Sequence, residues 1–253
     1  MKLSVVIITY NEEKNIARCI DSVKGVANEV IVVDSFSSDK TQQICLSKQV
    51  VFIQNEFKGH IQQKNFALQY ASYDYVLALD ADEALSDRLR NSILSVKENF
   101  EYDAYSFHRL TNYCGKWIKH CGWYPDTKVR LWNKNKGAWG GENPHDKVIL
   151  QKNTSLLKLK GDLLHYSYHT FREHISQIQS FTDISAREAF KSGKKSSIAM
   201  VILKPILKFF QSYFLKLGFL DGFYGFVVCI NASYTKFLKY LKLYELYKHE
   251  HDS

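Results

Sequence analysis

The 253-residue chain lacks the marks of several protein classes. Its five cysteines, Cys19, Cys45, Cys114, Cys121 and Cys229, are odd in number and irregularly spaced, which argues against a disulfide framework and fits a reducing compartment. His120 stands beside Cys121, but the spacing from Cys114 matches no common zinc pattern, so ordinary thiols are the simpler reading. No run of about 18 uncharged apolar residues occurs, so a simple membrane span is not expected. The opening "MKLSVVIITYNEE" has an apolar run too short for a signal peptide and passes straight into Asn and Glu. There is no internal repeat and no low-complexity linker.

What is present points to a globular chain. A hydrophobic content of 45% supplies a core, and the length suits one large α/β domain or one domain with an appendage. The net charge of +8 favours polyanions: phosphorylated small molecules, nucleic acid or acidic lipid.

The first half alternates strand and helix signals. "LSVVIIT" (3–9), "EVIVVDS" (29–35), "VVFIQ" (50–54) and "YVLALD" (75–80) read as strands. Asn11 is placed to cap a helix with Glu12 and Glu13 in its first turn and Gly25 at its end. "KTQQICLSK" and "IQQKNFALQYA" read as helices. Such alternation implies a parallel sheet with helices on both faces, whose ligands sit beyond the carboxyl ends of the strands. Thr9, Asp34 and Asp80 all fall at such ends.

After residue 100 the pattern becomes irregular and aromatic. "YDAYSFHRL" and "TKVRLWN" read as strands, and "NKNKGAWGGENPHDKVIL" as a Gly-rich loop entering a strand. "FREHISQIQSFTDISAREAFKSG" reads as a helix ended by Gly193, with Phe171, Ile175, Ile178, Thr182, Ser185 and Ala189 on one face. Near the C-terminus, Ile202, Ile206, Phe209, Phe210, Tyr213 and Leu217 form an apolar stripe opposite Lys204, Lys208, Ser212 and Lys216. Between 198 and 248 there are seven Lys against Asp221 and Glu245.

The sharpest chemical signal is Asp80-Ala81-Asp82-Glu83, three carboxylates closing a buried strand. They divide between a ribose hydroxyl and a divalent Mg or Mn ion bridging a diphosphate, or else form a solvated acidic turn capping the next helix. Asp34 is placed for a base or ribose, or for a cap. Lys64 suits a diphosphate and Asn65 a polar edge, unless both are simply solvated.

Taken in order, "SVVIITYNEEKNI", "EVIVVDSFSSDKT", "QQKNFAL" and "LALDADE" resemble the nucleotide-sugar-binding half of a family 2 inverting glycosyltransferase with the GT-A fold. "KVRLWNKNKGAWGGENPHDKVIL", "LLHYSYHTFREHI" and "KLGFLDGFYGF" resemble bacterial lipopolysaccharide-core β-1,4-glucosyltransferases. The resemblance implies an α/β, GT-A-type Rossmann-like fold, a mostly parallel sheet flanked by helices, with a C-terminal amphipathic helical region. It implies a catalytic domain over 1–195, with a nucleotide-sugar half (1–100) and an acceptor half (101–195), and a basic helical region over 196–253. It also implies inverting transfer of a sugar, glucose from UDP-glucose, to a lipid-linked or lipopolysaccharide acceptor.

By this resemblance Asp146, in the pair His145-Asp146, is the base, with Glu142 as fallback because many relatives carry Glu where this chain has Asp. Without it, Asp146 would be read as pairing with Lys147 or Lys152. Asp80 and Ala81 meet the ribose, Asp82 holds the metal, and Thr9, Tyr10, Asn11, Glu12, Asp34, Lys64 and Asn65 line the nucleotide. Glu83 positions the metal shell or caps a helix. His165 is a further metal or diphosphate ligand, or a structural histidine. Arg130 neutralises phosphate or forms a surface ion pair.

The C-terminal region lies on the cytosolic face of the inner membrane or packs on protein. The Lys excess and the uncharged stretch 222–235 favour the membrane. Two other classes fit less well. A nucleotidyltransferase calls for a Gly-rich basic loop where "YNEEKN" stands, and a nucleic-acid binder calls for a clustered basic motif that is missing, so no nucleic-acid partner is expected.

Overall fold

The structure is a computed structural model that describes residues 1–142 and 145–251. Its contacts group the chain into two compact units: Met1–Leu110 with Asp126–Tyr166, and Thr111–Pro125 with the chain from Ser167 onward.

The first unit is built on β1 (Leu3–Thr9), β2 (Glu29–Asp34), β3 (Val51–Gln54) and β4 (Tyr75–Asp80), parallel and in the order β3-β2-β1-β4. The helices α1 (Ile16–Ser22), α2 (Thr41–Ser47) and α3 (His60–Gln69) connect them. The strands read as continuous apolar runs because both faces are covered. Val5, Ile7, Leu77 and Leu79 face one core with α1 and with α4 (Asp87–Glu98). Val6, Val76 and Ala78 face the other, with Ala67 and Leu68 of α3.

Beyond β4 the sheet turns antiparallel through β8 (Asp126–Asn133) and β6 (Ala104–Tyr113), and continues to β11 (Leu156–Tyr168) and β5 (Glu83–Leu85). The sheet is therefore mixed: β8 runs against both of its neighbours, β4 and β6, while Ala104 N–H on Ser155 O and Cys114 N–H on Tyr168 O set β6 and β11 parallel. Gly161 in β11 has φ +100°, and a Cβ there would strike the backbone of Leu89. Glycine thus lets β11 pass against the start of α4.

Two local expectations fail here. Asn11 does not cap α1, which starts only after Asn15. At φ 52° it instead bonds the next loop, its N–H donating to Ser37 Oγ (2.8 Å) and its Oδ1 accepting from Ser38 N–H (2.8 Å). Glu12 and Glu13 consequently precede the helix, and Gly25 lies past its end at Ser22. The Gly-rich segment is no loop: it is β9 (Gly137–Glu142), which pairs antiparallel with β10 (His145–Leu150). Glycine is needed because a Cβ on Gly140 would sit 2.8 Å from Ile149 Cγ1, whose side chain lies across the strand.

The second unit holds β7 (Lys116–Ile118), α5 (Phe171–Lys191), α6 (Ile198–Phe210) and α7 (Gly222–His251). Thr170 and Glu173 form a reciprocal capping box at the start of α5. That helix buries His174, Ile178, Thr182, Ala186 and Ala189, while Phe171 and Ile175 of the expected face stay exposed. Tyr113, Ile118, Cys121, Val228 and Cys229 make one core. Inside it, His174 Nδ1 lies 2.9 Å from Tyr113 Oη, to which Asn231 Nδ2 donates (3.1 Å). Burial pushes the His174 imidazole down to about 4.

The C-terminal stripe divides: Ile202, Ile206, Phe210 and Leu217 are exposed, Phe209 and Tyr213 pack on the core of Tyr113 and Cys229, and Pro205 and Ser212 are buried. α6 runs on through a π turn at Gln211–Leu215, so Ile198–Leu215 is one segment with mean hydropathy 1.5, long and apolar enough to cross a membrane, and only 11% of it is buried. Two lysines, Lys204 and Lys208, interrupt it, which is why a search for uncharged runs passes over it. All five cysteines are free.

Candidate active site

Register gathers the predicted carboxylates at one sheet edge. Thr9 of β1 pairs with Asp34 of β2, and Ile8 pairs with Asp80 of β4. Parallel strands of equal phase thus bring three chain segments to one place, where helix connections leave the strand ends open.

Asp80 is enclosed by cations. Lys64 Nζ lies 2.9 Å from its Oδ1, and Arg130 donates to its Oδ2 at 2.9 Å. Burial pushes the Asp80 carboxyl up, but the charges of Lys64 and Arg130 outweigh it and hold the group well below the usual carboxylate range. Arg130 is buried, not on the surface, and also donates to Glu83 at 2.9 Å. Glu83 caps no helix, because Ser86 caps α4. It lies in β5, fully buried, accepting the Asp80 N–H (3.0 Å) with Arg109 Nη1 at 3.5 Å.

Lys64 carries the second link. Its Nζ is 2.8 Å from Asp146 Oδ2 on β10, and it sits 4.4 Å above the Trp139 ring. Asp146 is thus tied to Lys64 rather than to Lys147 or Lys152. Asn65 bonds main chain: its Nδ2 donates to Trp139 O (2.9 Å) and its Oδ1 accepts from Trp139 N–H (3.0 Å). The side chains of Glu142 and His145 lie outside the described residues.

Asp82 has a different environment. His165 Nε2 of β11 lies 3.1 Å from Asp82 Oδ2. Burial pushes the Asp82 carboxyl up, yet the charge and hydrogen bond of His165 bring it below its ordinary value. Burial pushes His165 down in turn, and Asp82 more than reverses this. Asp80, Glu83 and Asp146 therefore pair with the permanent cations Lys64, Arg109 and Arg130, of which Arg109 lies closer to Asp126, at 2.9 Å. Asp82 is the one left to a titratable partner.

The remaining predicted residues surround this cluster. Asp34 is buried and accepts from Ser37 N–H (2.8 Å), so it closes the turn after β2. Thr9 Oγ1 is buried without a partner among the described residues, as are Nε and Nη1 of Arg130. Ala81 is buried, with its N–H on Ile8 O (3.2 Å). Tyr10 is exposed. Burial pushes the Glu12 carboxyl up to about 7, with Asp82 and Asp39 adding to the effect against a hydrogen bond from Asn15.

Sequence reading missed Arg109 and Trp139. A charged residue two positions from buried Phe107 on one strand was the available sign of Arg109. Nothing local marks Trp139, because its partners lie on α3 and β8.

Among the described residues no group of three or more His, Cys, Asp or Glu side chains is arranged around a metal. Asp82 and His165 would offer an oxygen and a nitrogen to a divalent cation that took its other ligands from a diphosphate and water.

The parallel α/β half thus gathers carboxylates and cations at its strand ends, the place where open α/β sheets bind their ligands. The chain belongs to glycosyl transferase family 2, whose model matches residues 4–151. It is 34% identical to an uncharacterized glycosyltransferase of Rickettsia typhi over 97% of this chain and 87% of the relative. It is 26% identical to the lipopolysaccharide core biosynthesis glycosyltransferase LpsC of Rhizobium meliloti, over 97% and 93%. Among solved structures, S. aureus TarS 1-349 in complex with UDP-GlcNAc superposes with TM-score 0.47 at 17% identity, covering 99% of this chain and 92% of that one.

Proposed function

We propose that this glycosyltransferase moves a sugar, glucose in the first instance, from a UDP-sugar to a lipid-linked saccharide such as the lipopolysaccharide inner core, with inversion and with a divalent cation. The supporting observation is the unequal treatment of two neighbouring carboxylates: Asp80 is locked between Lys64 and Arg130, while Asp82 forms its ion pair among the described residues with His165. LpsC supports the acceptor class by its name. Donor binding falls to residues 1–100 and acceptor binding to 101–195.

In this reading Asp34 and Thr9 hold the uridine and Asp80 the ribose, with Tyr10, Asn11, Glu12 and Ala81 lining the nucleotide. The partnerless N–H groups of Arg130 are available to phosphate oxygens. Asp82 and His165 hold the cation, which when bound draws negative charge from the departing diphosphate. The acceptor hydroxyl attacks the anomeric carbon as the bond to the diphosphate oxygen breaks and its electron pair leaves with the nucleotide. Asp146 takes the hydroxyl proton. For that, Lys64 must exchange Asp146 for the diphosphate, so donor binding frees the base.

The test is turnover of a panel of UDP-sugars with Mn, with Mg and with chelator. Asp82→Ala should lower metal-dependent turnover at least about a hundredfold; full retention would remove the metal assignment. Asp146→Asn should lose transfer yet still bind donor. If it keeps transfer and Glu142→Gln loses it, the base is Glu142.

A further inference from the structure

The second unit carries an apolar surface that no described residue covers. On α6, Ile202, Leu203, Ile206, Leu207 and Phe210 are each about half exposed, at the spacing of one helical face. Phe223, Phe226 and Ile230 repeat the pattern on α7. The two helices are joined on their other sides: Pro205 is buried, and Ser233 Oγ of α7 donates to its carbonyl at 2.8 Å.

Charge flanks this surface. Lys204 and Lys208 stand four residues apart on α6. On α7, Lys236 follows three residues after Ser233, which bonds Pro205 between those two lysines, and burial, then Lys208 and Lys204, lower its pKa. None of them belongs to an ion pair among the described residues.

We propose that this face seats on an anionic phospholipid bilayer, with α6 and the first turns of α7 lying in the headgroup plane, their apolar side chains below and Lys204, Lys208 and Lys236 on lipid phosphates. It rests on the transfer reading only in that a lipid-linked acceptor gives the location a use. A second copy is the poorer occupant, because a twofold pairing would set like charges against one another. Spanning is disfavoured too, because it would place Lys204 and Lys208 inside hydrocarbon, whereas in the plane both reach headgroups.

The experiment is co-sedimentation of the full chain with vesicles of phosphatidylcholine alone, or of phosphatidylcholine and phosphatidylglycerol in equal parts. Binding should favour the anionic vesicles and weaken with salt. Leu203→Glu with Leu207→Glu, both on exposed positions, should abolish it. Lys204→Gln with Lys208→Gln should reduce it on the order of tenfold or more. The proposal is overturned if the native chain ignores both vesicle types, or if the Leu203→Glu/Leu207→Glu variant binds like the native chain. A lipid-free dimer that this variant dissociates would overturn it as well. UDP-sugar hydrolysis, followed in parallel without lipid, keeps the two readings apart. Hydrolysis without vesicle binding rejects the membrane seat alone, and vesicle binding without hydrolysis rejects the transfer reading alone.

Discussion

Each unit buries a polar cluster, and the two are built on opposite terms. In the first, Asp80, Glu83, Arg109, Arg130, Lys64 and Asp146 are held by charge. In the second, Tyr113, His174 and Asn231 are held by neutral hydrogen bonds among rings packed edge to face. The charged cluster leaves N–H groups and a hydroxyl without partners among the described residues, and the neutral cluster closes on itself. A buried site that awaits a charged ligand keeps spare polar capacity; one that only joins helices has no use for it.

The contrast breaks hardest at Arg130. Arg130→Met strands Asp80 and Glu83 without their shared cation and should cost about 3–5 kcal/mol in chemical denaturation. A cost near zero would mean that Lys64 and Arg109 suffice.

The neutral cluster is vulnerable to protons instead. His174 binds its proton at about 4 in the folded chain against an ordinary 6.5. Its contribution is therefore complete above about pH 6.5 and lost as pH falls toward 4, up to roughly 3 kcal/mol. His174→Gln should flatten that part of a stability-versus-pH curve, and an unchanged slope would place the acid sensitivity elsewhere.

Thr9→Val separates ligand capacity from stability. Removing a buried hydroxyl without a partner should raise stability by about 1 kcal/mol and weaken the thermal shift produced by UDP. Tyr113→Phe should have the smallest effect, near 1 kcal/mol, with donor turnover unchanged.

These differences also explain what could be read in advance. β1, β2 and β4 are legible because a strand covered on both faces must be apolar along its length. Asp80 and Asp82 are legible because charge so rarely ends such a run. The partners of Asp146 are not: Lys64 lies 82 residues away, and local sequence favoured Lys147 or Lys152. Asn11 misleads because one side chain serves equally as helix cap and loop bridge. The α6 stripe has the right period, but periodicity does not say which side faces protein.

Lys64 and Asn65 are consecutive on α3 and grip the two strands of one hairpin, Asp146 on β10 and Trp139 on β9. The grips differ in kind. The Asn65 amide bonds main chain from both sides, while Lys64 holds by a charged hydrogen bond to Asp146 and by its place over the Trp139 ring. An anion competing for Lys64 would act on one grip and leave the Asn65 grip on Trp139 untouched.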